Sequence, residues 1–186
     1  MRVYTGRGDD GTTGLLGGGR VGKDTAAPAA CGAVDEAQAA LGLARAEVEP
    51  GSELDGVLLG VERDLYVVMA ELATAPGHRH RLVPGQSLVT GEMITALEGL
   101  ADDVAARTAL PDHFVLPGQN RLSSLLDLAR TVVRRAERAT VAAAAEGSSV
   151  LAYLNRLSSL VWVLARAEEG ERVLARDHTG LVGPSR

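Results

Sequence analysis

From Ala26 onward, Ala, Val and Leu recur at helical spacing in long stretches that proline and glycine separate. Hydrophobic residues make up 46% of the 186 residues, but aromatic residues only 3%. A core of small aliphatic side chains suits closely packed helices better than a β-sandwich. No segment alternates in hydrophobicity with period two for long enough to predict a strand. The chain is therefore predicted to be all-α.

Five helices are predicted from the apolar periodicity and from capping residues such as Ser52. Their approximate ranges are 26–49, 52–74, 87–108, 120–144 and 148–169. Two segments, NRLSSLLDLAR and NRLSSLVWVLAR, resemble each other, but a solenoid needs at least three repeats, so we interpret the echo as convergence on an amphipathic pattern. We predict one domain over residues 1–186. It would comprise an N-terminal arm, a five-helix bundle and a C-terminal tail, at 1–25, 26–170 and 171–186.

The arm differs from the rest of the chain, because eight of the 22 glycines lie in it, with Thr and Asp between them. Glycine loses the most conformational entropy on ordering, so no regular element is predicted here. The arm is either a flexible tail or a segment whose backbone closely approaches a ligand. It lacks the order of residues of a P-loop, so its motif signal for phosphate is weak. It does contain Lys23, the one Lys among 19 basic residues, which indicates a need for a compact point charge.

The fourth predicted helix carries an unusual density of positive charge. Arg130, Arg134 and Arg138 follow i, i+4, i+8, and Asp127 and Glu137 fall on the same exposed stripe. Like charges at this spacing repel unless an anion neutralises them. An ordinary solvated face is one interpretation, but together with the glycine-rich arm the pattern favours a nucleoside triphosphate. The opposite side is predicted to be apolar, through Leu122, Leu125, Leu128, Ala129, Val132, Val133, Ala136 and Ala139.

Charge and cysteine content restrict the remaining possibilities. The net charge of −5 argues against nucleic-acid binding by bulk electrostatics. A single cysteine, Cys31, excludes an internal disulfide and fits a reducing compartment. No signal peptide and no apolar run of about 20 residues is present, so a cytoplasmic protein without a membrane partner is expected. The HRHR sequence at 78–81 is disfavoured as a metal site, because no cysteine or carboxylate cluster accompanies it.

Several stretches occur together in the order found in one known family: YTGRGDDGTTGLLGGGRVGKD, AVDEAQAALG, HFVLPG, ARTVVRRAER and YLNRLS. From Tyr4 to about Glu168 the chain resembles ATP:cob(I)alamin adenosyltransferases of the propanediol-utilisation type. The resemblance implies a ferritin-like five-helix bundle that assembles as a homotrimer with active sites between subunits. It also implies transfer of the 5′-deoxyadenosyl group of ATP to the cobalt of cob(I)alamin or a related reduced corrinoid, with release of triphosphate. Mg²⁺ bound through ATP, a flavin-dependent reductase and an adenosylcobalamin-dependent mutase are the further cofactor and partners that it implies.

The resemblance implies roles for individual residues as well. Arg130, Arg134 and Glu137 would be catalytic, with Glu137 the protein group able to reach the Mg²⁺. Arg130 would pair with Asp35 of the neighbouring subunit, while Phe114 and Ser159 would contact the corrinoid. Phe114 would also exclude the axial base of the corrinoid from the cobalt. ATP would be bound by Thr5, Gly6, Arg7, Gly8, Thr13, Gly14, Lys23, Arg134, Arg135, Glu137, Arg138 and Asn155.

Three positions depart from the family pattern. Gly6 stands where the family usually has Lys, Asp127 where His is frequent, and Ser159 where an Asp is common. The change at Ser159 keeps a second hypothesis open, a protein that binds ATP and cobalamin to deliver or sense the cofactor without efficient transfer. A third hypothesis, a helical interaction protein with a disordered arm, does not explain why the lone Lys23 falls at the end of that arm.

Overall fold

The computed structural model describes residues 4–175. Five α-helices dominate this part of the chain, so the predicted helical bundle is confirmed. They are α1 (Ala26–Arg45), α2 (Glu53–Leu72), α3 (Gly91–Ala106), α4 (Arg121–Thr140) and α5 (Val150–Glu168). A short 3-10 helix, Pro76–Arg81, follows α2. Among the described residues, no helix combines the length and apolar character needed to cross a membrane.

The helices pack in the spatial order α2, α1, α4, α5, α3, which places α4 at the centre. Helices α1 and α4 run antiparallel, because Arg121 at the start of α4 pairs with Glu47 beyond the end of α1, and Arg135 pairs with Glu36. The core is built from small aliphatic side chains, as the composition indicates. Burying a Leu or Val side chain stabilises the fold by about 1.5–3 kcal/mol, so the many aliphatic contacts between helices hold the bundle together. Tyr153 is the largest fully buried side chain.

Capping residues fix where several helices begin. The Ser52 hydroxyl accepts a hydrogen bond from the Asp55 amide at 3.2 Å, and Asn120 caps α4 in the same way. The prediction for the third helix was wrong at its start, since α3 begins at Gly91 after Thr90 acts as the N-cap. The preceding residues, 83–88, instead form a turn closed by backbone hydrogen bonds. Helix α4 also ends earlier than predicted, at Thr140.

The arm contains regular structure, contrary to the prediction. Strands β1 (Thr12–Gly14) and β2 (Arg20–Gly22) form an antiparallel hairpin with Thr13 opposite Val21. Three successive glycines at its tip, Gly17 to Gly19, all have positive φ, a conformation that other residues rarely adopt. Glycine therefore allows this tight tip to form, and the backbone pairing of the strands supplies the order that composition alone argued against.

The segment after α5 packs back onto the bundle. Residues 171–175, the start of the predicted tail, run antiparallel to the loop between α3 and α4, with Val115 opposite Leu174. The Leu116 amide donates to the Val173 carbonyl at 2.9 Å, and the Ala175 amide donates to the Phe114 carbonyl at 2.8 Å. The rest of the predicted tail, 176–186, lies outside the described residues.

Candidate functional site

Polar side chains hold the arm in one compact shape. The Lys23 ammonium donates to the Gly8 carbonyl at 2.8 Å, which closes the first turn of the arm onto its end. The Arg20 guanidinium donates to the Thr12 hydroxyl at 2.9 Å through Nε and also bonds the Arg7 carbonyl. Hydrogen bonds from Thr12, followed by the charge of Arg20, lower the pKa of the Asp10 carboxyl. The predicted ATP-binding residues of the arm therefore lie within one ordered hairpin and its flanking turns.

The hairpin tip is attached to the bundle at the end of α2. The Leu16 amide donates to the Ala73 carbonyl at 2.8 Å, and the Leu16 carbonyl accepts from the Ala75 amide at 2.9 Å. A Cβ at Gly17 would lie 2.5 Å from the His78 ring, so only glycine fits at this contact. Under the hairpin, Thr13 and Gly14 line a cavity of about 240 Å³ that Cys31 also lines. The arm is thus held at the start of α1, and most of its residues are exposed.

The arginine stripe of α4 comprises Arg130, Arg134 and Arg138. Arg134 and Arg138 are exposed, as predicted. The Arg138 guanidinium donates to the Arg134 carbonyl at 2.9 Å. Arg135 faces α1, where it pairs with Glu36. Among the described residues, the guanidinium of Arg134 has no ion pair with a carboxylate. An exposed guanidinium without a carboxylate partner is free to bind an anionic ligand.

Two residues of α4 were placed on the wrong side by the sequence. Asp127 was predicted to lie on the exposed stripe, but it is buried beside α5, where it pairs with Arg166 at 2.5 Å. Leu128 was predicted to be apolar core, yet 50% of its surface is exposed. Helix α5 covers one flank of the arginine stripe, so the true boundary between buried and exposed residues is rotated from the predicted one.

Glu137 and Asn155, both predicted for the ATP site, meet between α4 and α5. The Asn155 side-chain Nδ2 donates to Glu137 Oε1 at 2.9 Å, and the Asn155 side-chain Oδ1 accepts from Arg156 at 2.9 Å. Arg156 in turn pairs with Glu98 of α3. This chain of bonds orients the Glu137 carboxylate and the Asn155 amide within the arginine stripe.

Two adjoining cavities lie beside this stripe. The first, about 360 Å³, is lined by Arg130, Arg134, Ser159 and Trp162, among others. The second, about 500 Å³, shares Arg130 and Trp162 with the first and is walled by the loop that carries Phe114. The Phe114 side chain is 89% exposed. A cationic cavity that continues into an aromatic-walled one could accept a ligand with an anionic part and a large apolar part.

Ser159, predicted to contact the corrinoid, lies in the first cavity, and its hydroxyl donates to the Asn155 carbonyl at 3.4 Å. Arg166, which a carboxylate at position 159 could have oriented, lies deeper in the bundle. It is held by Asp127 and by Glu169, the latter at 2.9 Å. Arg166 therefore has two carboxylate partners, Asp127 and Glu169, without a carboxylate at position 159.

The arm and the arginine stripe remain separate within one chain. Among residues 4–175, no hydrogen bond or ion pair joins the arm to α4, and Asp35 and Arg130 are not paired with each other. No group of three or more His, Cys, Asp or Glu side chains in this part of the chain is arranged to hold a metal ion. The predicted site residues thus form two groups, an arm group and an α4–α5 group.

Sequence reasoning did not predict how these groups are supported: Arg20 and Arg172 were missed, and the buried pairing of Asp127 with Arg166 was not foreseen. The sequence did contain one signal for a buried ion pair. Arg166 interrupts the apolar face of α5, and a charge on such a face needs a buried partner. Trp162 carried a weaker signal as the single tryptophan of the chain. The pairing of residues 171–175 with the Phe114 loop had no signal in the sequence, because it joins distant segments without an alternating pattern.

Comparison with known proteins identifies relatives over most of the chain. Residues 3–168 match the cobalamin adenosyltransferase family. The corrinoid adenosyltransferase of Mycobacterium tuberculosis is 44% identical over 170 residues, which cover 89% of this chain and 87% of that protein. The corrinoid adenosyltransferase of Mycobacterium leprae is 39% identical over 183 residues, covering 94% of this chain and 95% of the relative.

Solved structures of the same kind share the fold. A variant of the PduO-type ATP:corrinoid adenosyltransferase from Lactobacillus reuteri, complexed with cobalamin and ATP, superposes with a TM-score of 0.83 at 27% sequence identity. The similarity covers 95% of this chain and 97% of that one. A second variant of the Lactobacillus reuteri protein, complexed with ATP, gives a TM-score of 0.80 at 28% identity.

Proposed function

This chain belongs to the cobalamin adenosyltransferase family, and we infer that it transfers the 5′-deoxyadenosyl group of ATP to the cobalt of a reduced corrinoid. The observation that carries this inference is the continuity of two cavities, one lined by arginines and one walled by Phe114 and Trp162. The first suits a triphosphate and the second suits a corrin ring. Arg130 and Trp162 line both, so the two substrates would meet there.

The chemistry needs positioning more than proton transfer. The electron pair of Co(I) attacks C5′ of ATP, a cobalt–carbon bond forms, and the bond from C5′ to the triphosphate oxygen breaks with its electrons leaving on the triphosphate. No general base is required, because Co(I) is already a strong nucleophile. Stabilising the leaving group by preorganised charge is the main task of the protein. Arg134 is suited to this role, since its exposed guanidinium has no carboxylate partner among the described residues.

The arm would supply the other half of the nucleotide site. Lys23 and the glycine-rich turn around Gly8 present an ammonium group and backbone amides, which are natural phosphate donors. Thr13 and Gly14, on strand β1 of the same hairpin, would also contact ATP. The departure at Gly6, where φ is 68°, is compensated in this proposal by the neighbouring Arg7.

Mg²⁺ would be held chiefly by the triphosphate. When bound, the ion neutralises part of the charge on the phosphates. The donor set of this chain fits such an arrangement, because Glu137 offers one carboxylate, already oriented by Asn155 at 2.9 Å. Mg²⁺ typically keeps several waters and takes one or two carboxylates together with substrate phosphates.

A homotrimer with shared sites would bring the arm to the arginine stripe of another subunit. In support, the outer face of α1 and α4 carries exposed apolar side chains, Leu43 and Leu128, at the same level of the antiparallel pair. Asp35, exposed on that face of α1, has no ion pair among the described residues of its own chain. Arg130 pairs weakly with Asp127, at 3.4 Å. In the trimer, Arg130 would form a second ion pair with Asp35 of the neighbouring subunit.

The reaction also implies two kinds of protein partner. Co(I) must be supplied by a reductase, for which a flavin-dependent enzyme is suited because flavins transfer single electrons. The adenosylated product would be consumed by an adenosylcobalamin-dependent mutase. Both partners are proposed from the chemistry of the substrate and product.

An anaerobic assay with ATP and chemically reduced cobalamin tests the proposal. Adenosylcobalamin and triphosphate should form in equal amounts, seen by the change in the corrin absorption spectrum and by phosphate analysis. Binding of both ligands without a cobalt–carbon bond would instead identify a delivery or sensor protein. Comparing the rate with complete cobalamin and the rate with its corrinoid precursors in the same assay would identify the preferred acceptor of the adenosyl group.

A further inference from the structure

Charged side chains of alternating sign extend from the arginine stripe to the base of the Phe114 loop. Asp127 pairs with Arg130 at 3.4 Å and with Arg166 at 2.5 Å. Arg166 pairs with Glu169 at 2.9 Å, and Glu169 pairs with Arg172. Asp127, Arg166 and Glu169 are buried, so each charge depends on the next for compensation.

Arg172 is the point at which this network reaches the loop. Its Nη1 donates to the carbonyl of Ala109, close to the end of α3, and its Nη2 donates to the Arg166 carbonyl at 3.1 Å. Its Nε bonds the Glu169 carboxylate. One planar guanidinium therefore joins the end of α5, the start of the Phe114 loop and a buried carboxylate, a geometry that Arg can satisfy and Lys cannot.

The loop depends on contacts of this kind for its position. The Phe114 ring, 89% exposed, buries little surface that could hold it in place. Its backbone is instead paired with residues 173–175 through the Leu116 and Ala175 amides. Arg172 lies directly before this paired segment. A shift of Arg172 would therefore displace the loop that carries Phe114 and with it one wall of the 500 Å³ cavity.

We propose that Arg172 is a positioning residue, which holds the Phe114 loop in the conformation that receives the corrinoid. This proposal rests on the proposed function for the identity of the ligand. Arg172 is 22% exposed at the edge of the network and makes no contact with the arginine stripe among the described residues. Its removal should therefore impair use of the corrinoid and leave use of ATP unchanged.

Arg172→Met is the primary test, because it removes the three donors and leaves Glu169 paired with Arg166. The KM for cob(I)alamin should rise about tenfold or more through the lost preorganisation, while the KM for ATP changes less than twofold. Arg172→Lys keeps the charge beside Glu169 but cannot reach both carbonyls, so its KM for cob(I)alamin should be intermediate. The matched control is Arg45→Met, which removes a 33% exposed Arg with two carboxylate partners outside both cavities and should change neither KM.

Two further measurements do not require turnover. Trp162 is the single tryptophan and lines the cavity, so quenching of its fluorescence by hydroxocobalamin reports binding directly. The midpoint of quenching should rise about tenfold in Arg172→Met. Amide hydrogen exchange should accelerate at Leu116 in this variant and stay unchanged at the core residue Leu157.

Each result decides the proposal. Faster exchange at Leu116 with an unchanged quenching midpoint would overturn it, because the loop would then be loosened without consequence for the ligand. Equal increases in both KM values, or faster exchange at Leu157, would assign Arg172 a general structural role instead. A wild-type protein that is quenched by hydroxocobalamin but transfers no adenosyl group would refute the proposed function and leave the role of Arg172 in corrinoid binding testable.

Discussion

Replacing Arg134 by Ala should separate catalysis from folding. The Arg134 side chain is exposed on α4 and has no carboxylate partner among the described residues, so little native structure depends on it. Its carbonyl, which accepts from Arg138, is retained in the variant. Arg and Ala both favour helices, and exposed substitutions of this kind change the free energy of unfolding by no more than about 0.5 kcal/mol.

The effect on the reaction should be far larger. The guanidinium lines the cavity shared with Arg130 and Trp162, where the leaving triphosphate would develop negative charge. Loss of one preorganised charge contact in the transition state costs on the order of 3 kcal/mol, or more than a hundredfold in rate. The rate of adenosylcobalamin formation at saturating ATP is the quantity to measure, with circular dichroism to confirm that the helices persist.

Arg121→Ala is the matched control, because Arg121 is an exposed Arg on the same helix, 13 residues or about 20 Å away, and pairs with Glu47. It should keep the normal rate. If Arg134→Ala retained more than half of the normal rate while folded, the assignment of Arg134 to the triphosphate would be wrong. A loss of helical signal equal to the loss of rate would also refute the reasoning, since the structure assigns Arg134 no role in stability.

Three other experiments test separate parts of the structure. Lys23→Arg should raise the KM for ATP about tenfold despite the retained charge, because a planar guanidinium does not replace the ammonium that bonds Gly8 at 2.8 Å; unchanged kinetics would leave Lys23 without a role in binding. Charge reversal of Asp35 or Arg130 alone should lower activity and the double reversal should restore part of it, whereas additive losses would show that the two residues do not meet. Burial raises the pKa of Asp64 above its usual 3.8. The folded protein therefore binds the Asp64 proton more tightly than the unfolded protein does. Its free energy of unfolding consequently decreases as the pH rises through the pKa of Asp64 in the folded state. The Tm advantage of Asp64→Asn over the wild type should grow between about pH 3 and pH 6, and a difference independent of pH would contradict this sign.

Local features of the sequence were sufficient for much of the helical architecture. Apolar residues at helical spacing predicted five helices, and the polar residue Ser52 marked the start of the second, because an N-cap acts on amides within its own first turn. The spacing of Arg130, Arg134 and Arg138 likewise placed the arginines on one stripe. The family resemblance, carried by the order of several short motifs, correctly indicated an adenosyltransferase.

The arm illustrates what composition cannot decide. Its glycines argued for irregular structure, yet a short hairpin forms there, because a flexible segment becomes ordered once side chains such as Arg20 and Lys23 bond its backbone across the turn. These bonds join residues 13 and 15 positions apart. No pattern in the local sequence reports that they will form.

The sequence by itself determined the five helices and the angular position of each residue on its own helix, since both follow from the geometry of a single segment. Only the tertiary structure decided that Asp127 is buried and Leu128 exposed. Burial depends on which neighbouring helix covers a given angle, and α5 covers the side of α4 on which Asp127 lies. The same holds for the Phe114 loop and residues 171–175, whose pairing exists because the fold brings two distant segments side by side.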